Sequence, residues 1–184
     1  MLSTEVMLYL DDQLDFIDLD LTGASGNLFD NAMPPNPDIA FMVENTGGSP
    51  QSFTTKKIQE PALRILARGT SDPRVSRGKA QKIIDLIGSF RKDCFAKPEE
   101  DWQSGKTYSA KAVVENDGVN YVALTENTDV EPGVDSNWED YWQELEGTFV
   151  HSCQAVQARP VNIGRDENDR FRFSTNFELK IGVK

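Results

Sequence analysis

Histidine occurs once, at His151, and cysteine twice, at Cys94 and Cys153, in a chain of 184 residues. A single histidine leaves too few ligands for a catalytic zinc site. Two cysteines cannot build a disulfide scaffold, so reduced, half-buried thiols are expected. On a strand, the tripeptide HSC would put His151 and Cys153 on one face. Side chains two apart on a strand rarely meet at hydrogen-bond distance, and no third orienting group is evident, so a Cys/His nucleophile is not expected. Asp166, Glu167 and Asp169 fall in one polar turn rather than across a cleft, which argues against a two-carboxylate hydrolase. The expectation is no enzyme, no metal and no cofactor. Long apolar runs are missing too: nothing approaches the ~20 residues of a membrane span. The opening MLSTEVMLYLDD has acids and no base, and is not expected to be a signal peptide.

Basic residues are missing from the first 55 positions, which carry nine acids. Residues 56–98 reverse this, with eleven bases and four acids. Residues 99–146 hold thirteen acids and two bases, a balance equal to the whole chain's −11. The last stretch, 147–184, has six bases and four acids. All three tryptophans and three of the four tyrosines lie in the acidic stretch. A joint break in charge and composition marks a module border, so 99–146 is expected to be an inserted body.

The elements follow from periodicity. STEVMLYLDDQLDFI repeats apolar residues at Leu2, Val6, Leu10, Leu14 and Ile17, which predicts a helix with Ser3 or Thr4 as cap. LTGASGNLFDNAMPPNP is rich in Gly, Asn and Pro and predicts loop or irregular strand. IAFMVEN and PALRILAR alternate as strands, and TGGSPQS between them predicts a turn. SDPRVSRGKAQKIIDLIGSF predicts a second helix capped by Asp72 with Pro73 in its first position. Its buried stripe would be Val75, Ala80, Ile83, Ile84, Ile87 and Phe90, leaving Arg74, Arg77, Lys79 and Lys82 on a solvated or acid-binding face. GTFVHSCQAVQA and FRFSTNFELKI predict strands, the second with Phe171, Phe173, Thr175, Phe177, Leu179 and Ile181 inward. These two are expected to pair as a hairpin across RDENDR. The fold class is α+β: an antiparallel or mixed sheet flanked by two helices, with a small all-β inserted domain. The domains would be 1–98 plus 147–184, and 99–146.

Three pieces outside the acidic stretch carry a resemblance: NLFDNAMPPNPDIAFMVENTGGSP, then QEPALRILARGTSDPRVSRGKAQKIIDLI, then RPVNIGRDENDRFRFSTNFEL. In this order they resemble the minor capsid or tail terminator proteins of long-tailed bacteriophages. The resemblance implies a small α/β protein that assembles as a ring, usually a homo-hexamer. Such a ring caps the tail tube protein and docks onto a head-completion, stopper or connector protein. DNA passes through its lumen without sequence-specific contacts. It implies a place in the virion neck, with assembly in the host cytoplasm, and no membrane partner. An acidic first third and a basic middle suit head-to-tail contacts between unlike patches. Long loops are frequent binding surfaces, so Asn27, Phe29, Pro34, Pro35, Arg68, Arg74 and Arg77 are candidate contacts with neighbours.

Within 101–145 the order Trp102, Tyr108, Val113-Val114, NDGVN, Tyr121, Pro132-Gly133 and Trp138, with Trp142 following, resembles chitin-binding carbohydrate-binding modules of families 5 and 12. The resemblance implies glycan binding through exposed aromatic rings. The aromatic pair expected after the Tyr strand is here Thr125-Glu126. A body this small needs bulky aromatics as core whether or not it binds sugar. Trp102, Tyr121 and Trp138 are assigned to the module core, and Tyr108, Tyr141 and Trp142 to a weak glycan face. A lectin-like surface role in host adsorption is the alternative function.

Overall fold

The computed structural model describes residues 2–49 and 58–182. In chain order these form helix α1 (Leu2–Gln13), strands β1 (Leu28–Asp30), β2 (Ala40–Ser49) and β3 (Ile58–Arg68), helix α2 (Pro73–Ile87) and strand β4 (Asp93–Cys94). Strands β5 (Glu100–Asp101), β6 (Thr107–Tyr108), β7 (Val113–Asn116), β8 (Val119–Ala123) and β9 (Asn127–Thr128) follow. Then come a single 3-10 turn at Trp138–Asp140 and β10 (Trp142–Leu145). The chain closes with β11 (Phe149–Ala155), β12 (Val161–Arg165) and β13 (Phe171–Gly182). The protein is α+β: two helices and a curled mixed sheet.

The main sheet runs β1-β2-β3-β13-β11-β4, with β12 also on β13. β13 is its centre: β3 pairs along one edge, while β12 and β11 share the other at opposite ends. The predicted alternation holds. Phe173, Thr175, Phe177, Leu179 and Ile181 are buried on one face with Leu63, Ile65 and Ala67 of β3. The partner across the RDENDR turn differs from expectation. It is β12, and β11 pairs further along, at Phe177–Ile181. β11 stops at Ala155, and the short extra strand begins directly after Pro160. The stretch expected to turn at TGGSPQS instead continues β2 to Ser49; Pro50 to Ser52 lie outside the described residues.

α2 begins as predicted. The Asp72 carboxylate accepts the Arg74 N–H at 2.9 Å and Pro73 takes the first position, where no N–H is needed. Ser76, Ala80, Ile83, Ile84 and Ile87 are buried. Ser76 rather than Val75 faces inward, packed so close to Gly69 that a Cβ there would lie 2.6 Å from the Ser76 Cβ. Only glycine lets the helix come this close to the end of β3.

α1 departs most from its predicted form. It starts at Leu2, so Ser3 and Thr4 lie inside the helix and are buried rather than capping it. Leu2 to Leu8 are all buried, so the helix has no wet face there. The reason lies in the acidic insert. Its sheet, β10-β8-β7-β5, pairs Val113 with Val122 and Trp142 with Ala123. Side chains on a strand alternate, so this one layer has two apolar faces. Val113, Val122 and Leu145 join the core that contains α1 and the main sheet. Val114, Tyr121, Ala123 and Trp142 form a separate aromatic cluster with Tyr108 on the far face. α1 is thus enclosed between two sheets. Across the seam, Lys111 pairs with Asp11 at 2.8 Å.

Glu5 is fully buried in this enclosure, and its carboxylate oxygens accept the Thr148 N–H at 3.3 and 3.2 Å where the insert rejoins the main sheet. Burial raises its pKa above the ordinary value, and the Thr148 N–H only partly opposes the shift. A raised acid pKa favours the fold at low pH, and that contribution is lost as pH rises through the folded-state value. Glu5→Gln keeps the acceptor without the charge. It is expected to raise the melting temperature at pH 7–8, with the gain vanishing toward pH 4, as read by calorimetry across pH.

All three tryptophans sit in the insert, so their fluorescence reports that body alone. Because Val122 and Leu145 belong to the common core, the fluorescence transition is expected to coincide with far-UV circular dichroism of the whole chain in urea. Leu145→Ala should cost about 2–5 kcal/mol in both signals together. A tryptophan transition well separated from the circular dichroism transition would contradict the shared core.

Candidate functional site

The face of the main sheet opposite the helices carries Glu44, Arg64, Leu66, Arg172, Asn176, Glu178 and Lys180 by strand register. Among the described residues no helix covers it. At its upper end the Pro-rich loop folds over, held by two buried arginines. The Arg170 guanidinium, 7% exposed, meets Asp166 at 2.7 Å and Asp38 at 3.0 Å, and donates to the Pro35 carbonyl at 2.7 Å. Arg68 donates to the Pro37 carbonyl at 2.5 Å and lies 4.0 Å from Asp166. Partial burial works against the Asp166 charge. The N–H groups of Arg170 and Asn168 and the Arg170 guanidinium together outweigh it and hold the Asp166 pKa below its ordinary value.

This latch changes the role of several predicted contacts. Arg68 is 5% exposed and spent on loop carbonyls, so it is not a side chain offered to a neighbour. Asn27 is likewise internal: its amide oxygen accepts the Asp18 N–H and its amide nitrogen donates to the Phe16 carbonyl. Both corrections have one cause. A long loop leaves polar backbone groups that must be satisfied, and these side chains satisfy them. Phe29 is half-buried on β1, paired with Met42 of β2. Pro34 is half-exposed and Pro35 exposed beside the latch. Arg74 and Arg77 remain on the surface, Arg74 with its side chain 89% exposed and bonded to Asp72. Lys79 is partly buried with its ammonium 4.3 Å from the Phe16 ring centre, so the basic cluster is not uniformly free.

Arg74 and Arg77 border a surface that sequence reasoning missed. All five residues of β12 are exposed, and among the described residues the strand pairs only with β13. Val161 (48% exposed), Ile163 (40%) and Val156 (58%) form an apolar strip there. Pro73, Arg74, Arg77, Pro160, Asn162 and Phe173 line an adjoining cavity of about 260 Å³. Arg165 lies over the Phe171 ring at 4.3 Å and pairs with Asp169, while Arg159 is exposed. Arg172 reaches the Arg165 carbonyl at 3.4 Å, and its Nε has no partner. The register slips between Asn162 and Arg165, which limits further pairing without abolishing it. An apolar strip bordered by arginines is suited to an acidic protein segment. The only sequence signal was VNI outside a clear alternation.

In the insert, Trp142 is 1% exposed and donates from Nε1 to the Val130 carbonyl at 2.9 Å. Tyr108 is 3% exposed, sits edge-on to Trp142, and its hydroxyl accepts the Gln103 N–H at 2.7 Å. Neither ring can stack on a sugar, which corrects their assignment to a glycan face. The pleat decides this: Trp142 opposite Ala123 points to the aromatic cluster and cannot also face water. Tyr121 is buried as assigned, under Gly133, where a Cβ would lie 2.5 Å from its hydroxyl. Trp102, Trp138 and Tyr141 are half-exposed at the cluster's rim.

His151 and Cys153 do not share a face. A slip between Val150 and Ser152 leaves His151 exposed and Cys153 buried. Burial pushes the Cys153 thiol up to about 12, away from thiolate chemistry at neutral pH. Among the described residues no group of three or more His, Cys, Asp or Glu is placed to hold a metal ion. No helix of the described residues is long and apolar enough to cross a membrane. No protein-family model and no curated protein sequence matches the chain.

Removing Arg170 leaves the partly buried Asp166 carboxylate without its main partner. Arg170→Ala is expected to cost about 3–5 kcal/mol, measured by urea unfolding at pH 7. A carboxylate with a lowered pKa stabilises the fold above its unfolded value and loses that effect as pH falls through the folded one. The gap between wild type and variant should therefore shrink below about pH 4, the ordinary aspartate range.

Proposed function

We propose that the chain is a structural virion protein, a tail terminator of a long-tailed bacteriophage. Its copies form a ring that caps the tail tube and joins it to the head-completion or connector proteins, and DNA passes through the lumen. Two things support the reading. Three pieces outside the insert resemble that family in their order and spacing. The β12 margin leaves an apolar edge strand, bordered by arginines, open in a single copy. That margin is the observation that carries the proposal, because a ring needs one patch that meets a different patch on the next copy. The ring is built by 1–98 plus 147–184. The body 99–146, with its own aromatic cluster, is a carbohydrate-binding-module-like decoration. The protein works by assembly, with no chemistry, and its place is the virion neck.

The alternative, a glycan-binding surface protein that aids host adsorption, retains as rings only Trp102, Trp138 and Tyr141, each half-buried. Negative-stain imaging and native mass spectrometry separate the two readings. The purified chain, alone or mixed with tail tubes, is expected to give a ring of about six copies seated at one tube end. A chain that stays monomeric with and without tubes, and is captured by chitin or cell-wall glycan, would overturn the terminator reading.

A further inference from the structure

Five large hydrophobic side chains are exposed among the described residues: Val134, Phe149, Val156, Val161 and Ile163. Three of them make the β12 strip. A fourth, Val134, is 60% exposed and lies in the insert segment 126–140, which contains Glu126, Asp129, Glu131, Asp135, Glu139 and Asp140 and no base. The two surfaces are opposite in charge and alike in having an apolar centre. None of the hydrogen bonds or ion pairs of the described residues joins them.

We infer that the β12 margin of one copy receives the acidic 126–140 segment of the next. Val134 meets Val161 and Ile163, and the carboxylates face Arg74, Arg77, Arg159, Arg165 and Arg172. Two unlike patches of one chain that meet across copies make a heterologous, head-to-tail contact, which closes a ring or grows a filament. This inference rests on the ring reading and deepens it. The insert then serves as the clasp between copies as well as a decoration. Opposite charges bring the copies together from a distance, and salt weakens that attraction.

The test reverses charge on exposed side chains only. Arg77→Glu with Arg159→Glu alters the margin; a glutamate near the start of α2 suits the helix dipole, so the variant should fold. Glu139→Lys with Asp140→Lys alters the segment. Sedimentation velocity and native mass spectrometry of the full chain, at low and high salt, measure self-association. Each double variant is expected to weaken it at least tenfold, and the fourfold variant to recover most of the loss. Wild-type assembly should also fall as salt rises. If both doubles assemble like wild type, the inference fails and the ring reading stands. If only the margin variant is impaired and the fourfold variant does not recover, another occupant fills the margin and the inference is overturned. If wild type stays monomeric with and without tail tubes, the ring reading itself fails.

Discussion

The enclosure of α1 between two sheets is the constraint on which the rest of the structure depends. The helix lends one side to Phe41 and Val43 of the main sheet and another to Val113, Val122 and Leu145 of the insert. Burial of apolar surface, at roughly 25 cal/mol per Å², makes this the strongest tie between the two parts. The sheet of residues 99–146 therefore carries its own aromatic cluster on one face and walls the main core with the other. A carboxylate is a costly thing to bury in such a seam. Glu5 is tolerated there because the Thr148 N–H meets it where the chain returns from the insert to β11.

At the other end of the main sheet a polar device does the corresponding work. The Pro-rich loop has few apolar side chains with which to anchor itself. Arg68 and Arg170 reach its carbonyls, and Asp166 and Asp38 balance their charge. The latch also fixes the turn that launches β13 and so positions β12. In this way buried arginines of one group set up the exposed arginines of another. Arg165 ends β12 and Arg172 stands at the start of β13, on either side of the turn the latch fixes, while Arg74 and Arg77 line the adjoining cavity. The helix-free sheet face and this margin are where the molecule has surface left to give.

Period and punctuation alone made much of the fold legible. The strict alternation of β13, the Asp72-Pro73 start of α2 and the inward face of β3 each follow from a local rule with one solution. The break in charge at residue 99 coincides with a change of sheet, from β4 of the main sheet to β5 of the smaller one. What stayed illegible depends on neighbours. Arg68 and Trp142 read as surface groups, since a long polar side chain and an aromatic ring look the same whether they meet water or a distant carbonyl. The slip in β11 that parts His151 from Cys153 has no residue signature, and a one-residue shift reverses faces. The β12 margin went unseen because five residues with a glycine among them offer no period to count.

By itself, then, the amino-acid order determined the helices, the long strands, the segregation of charge and the crowding of aromatics, because each is set by side chains within a few positions of one another. Only the tertiary structure decided that α1 is closed on both sides, that two predicted contact residues are internal braces, and that β12 is left exposed at the margin of the main sheet. Those facts come from which surfaces the sheets bring face to face. Pairings between residues a hundred or more positions apart leave no local trace.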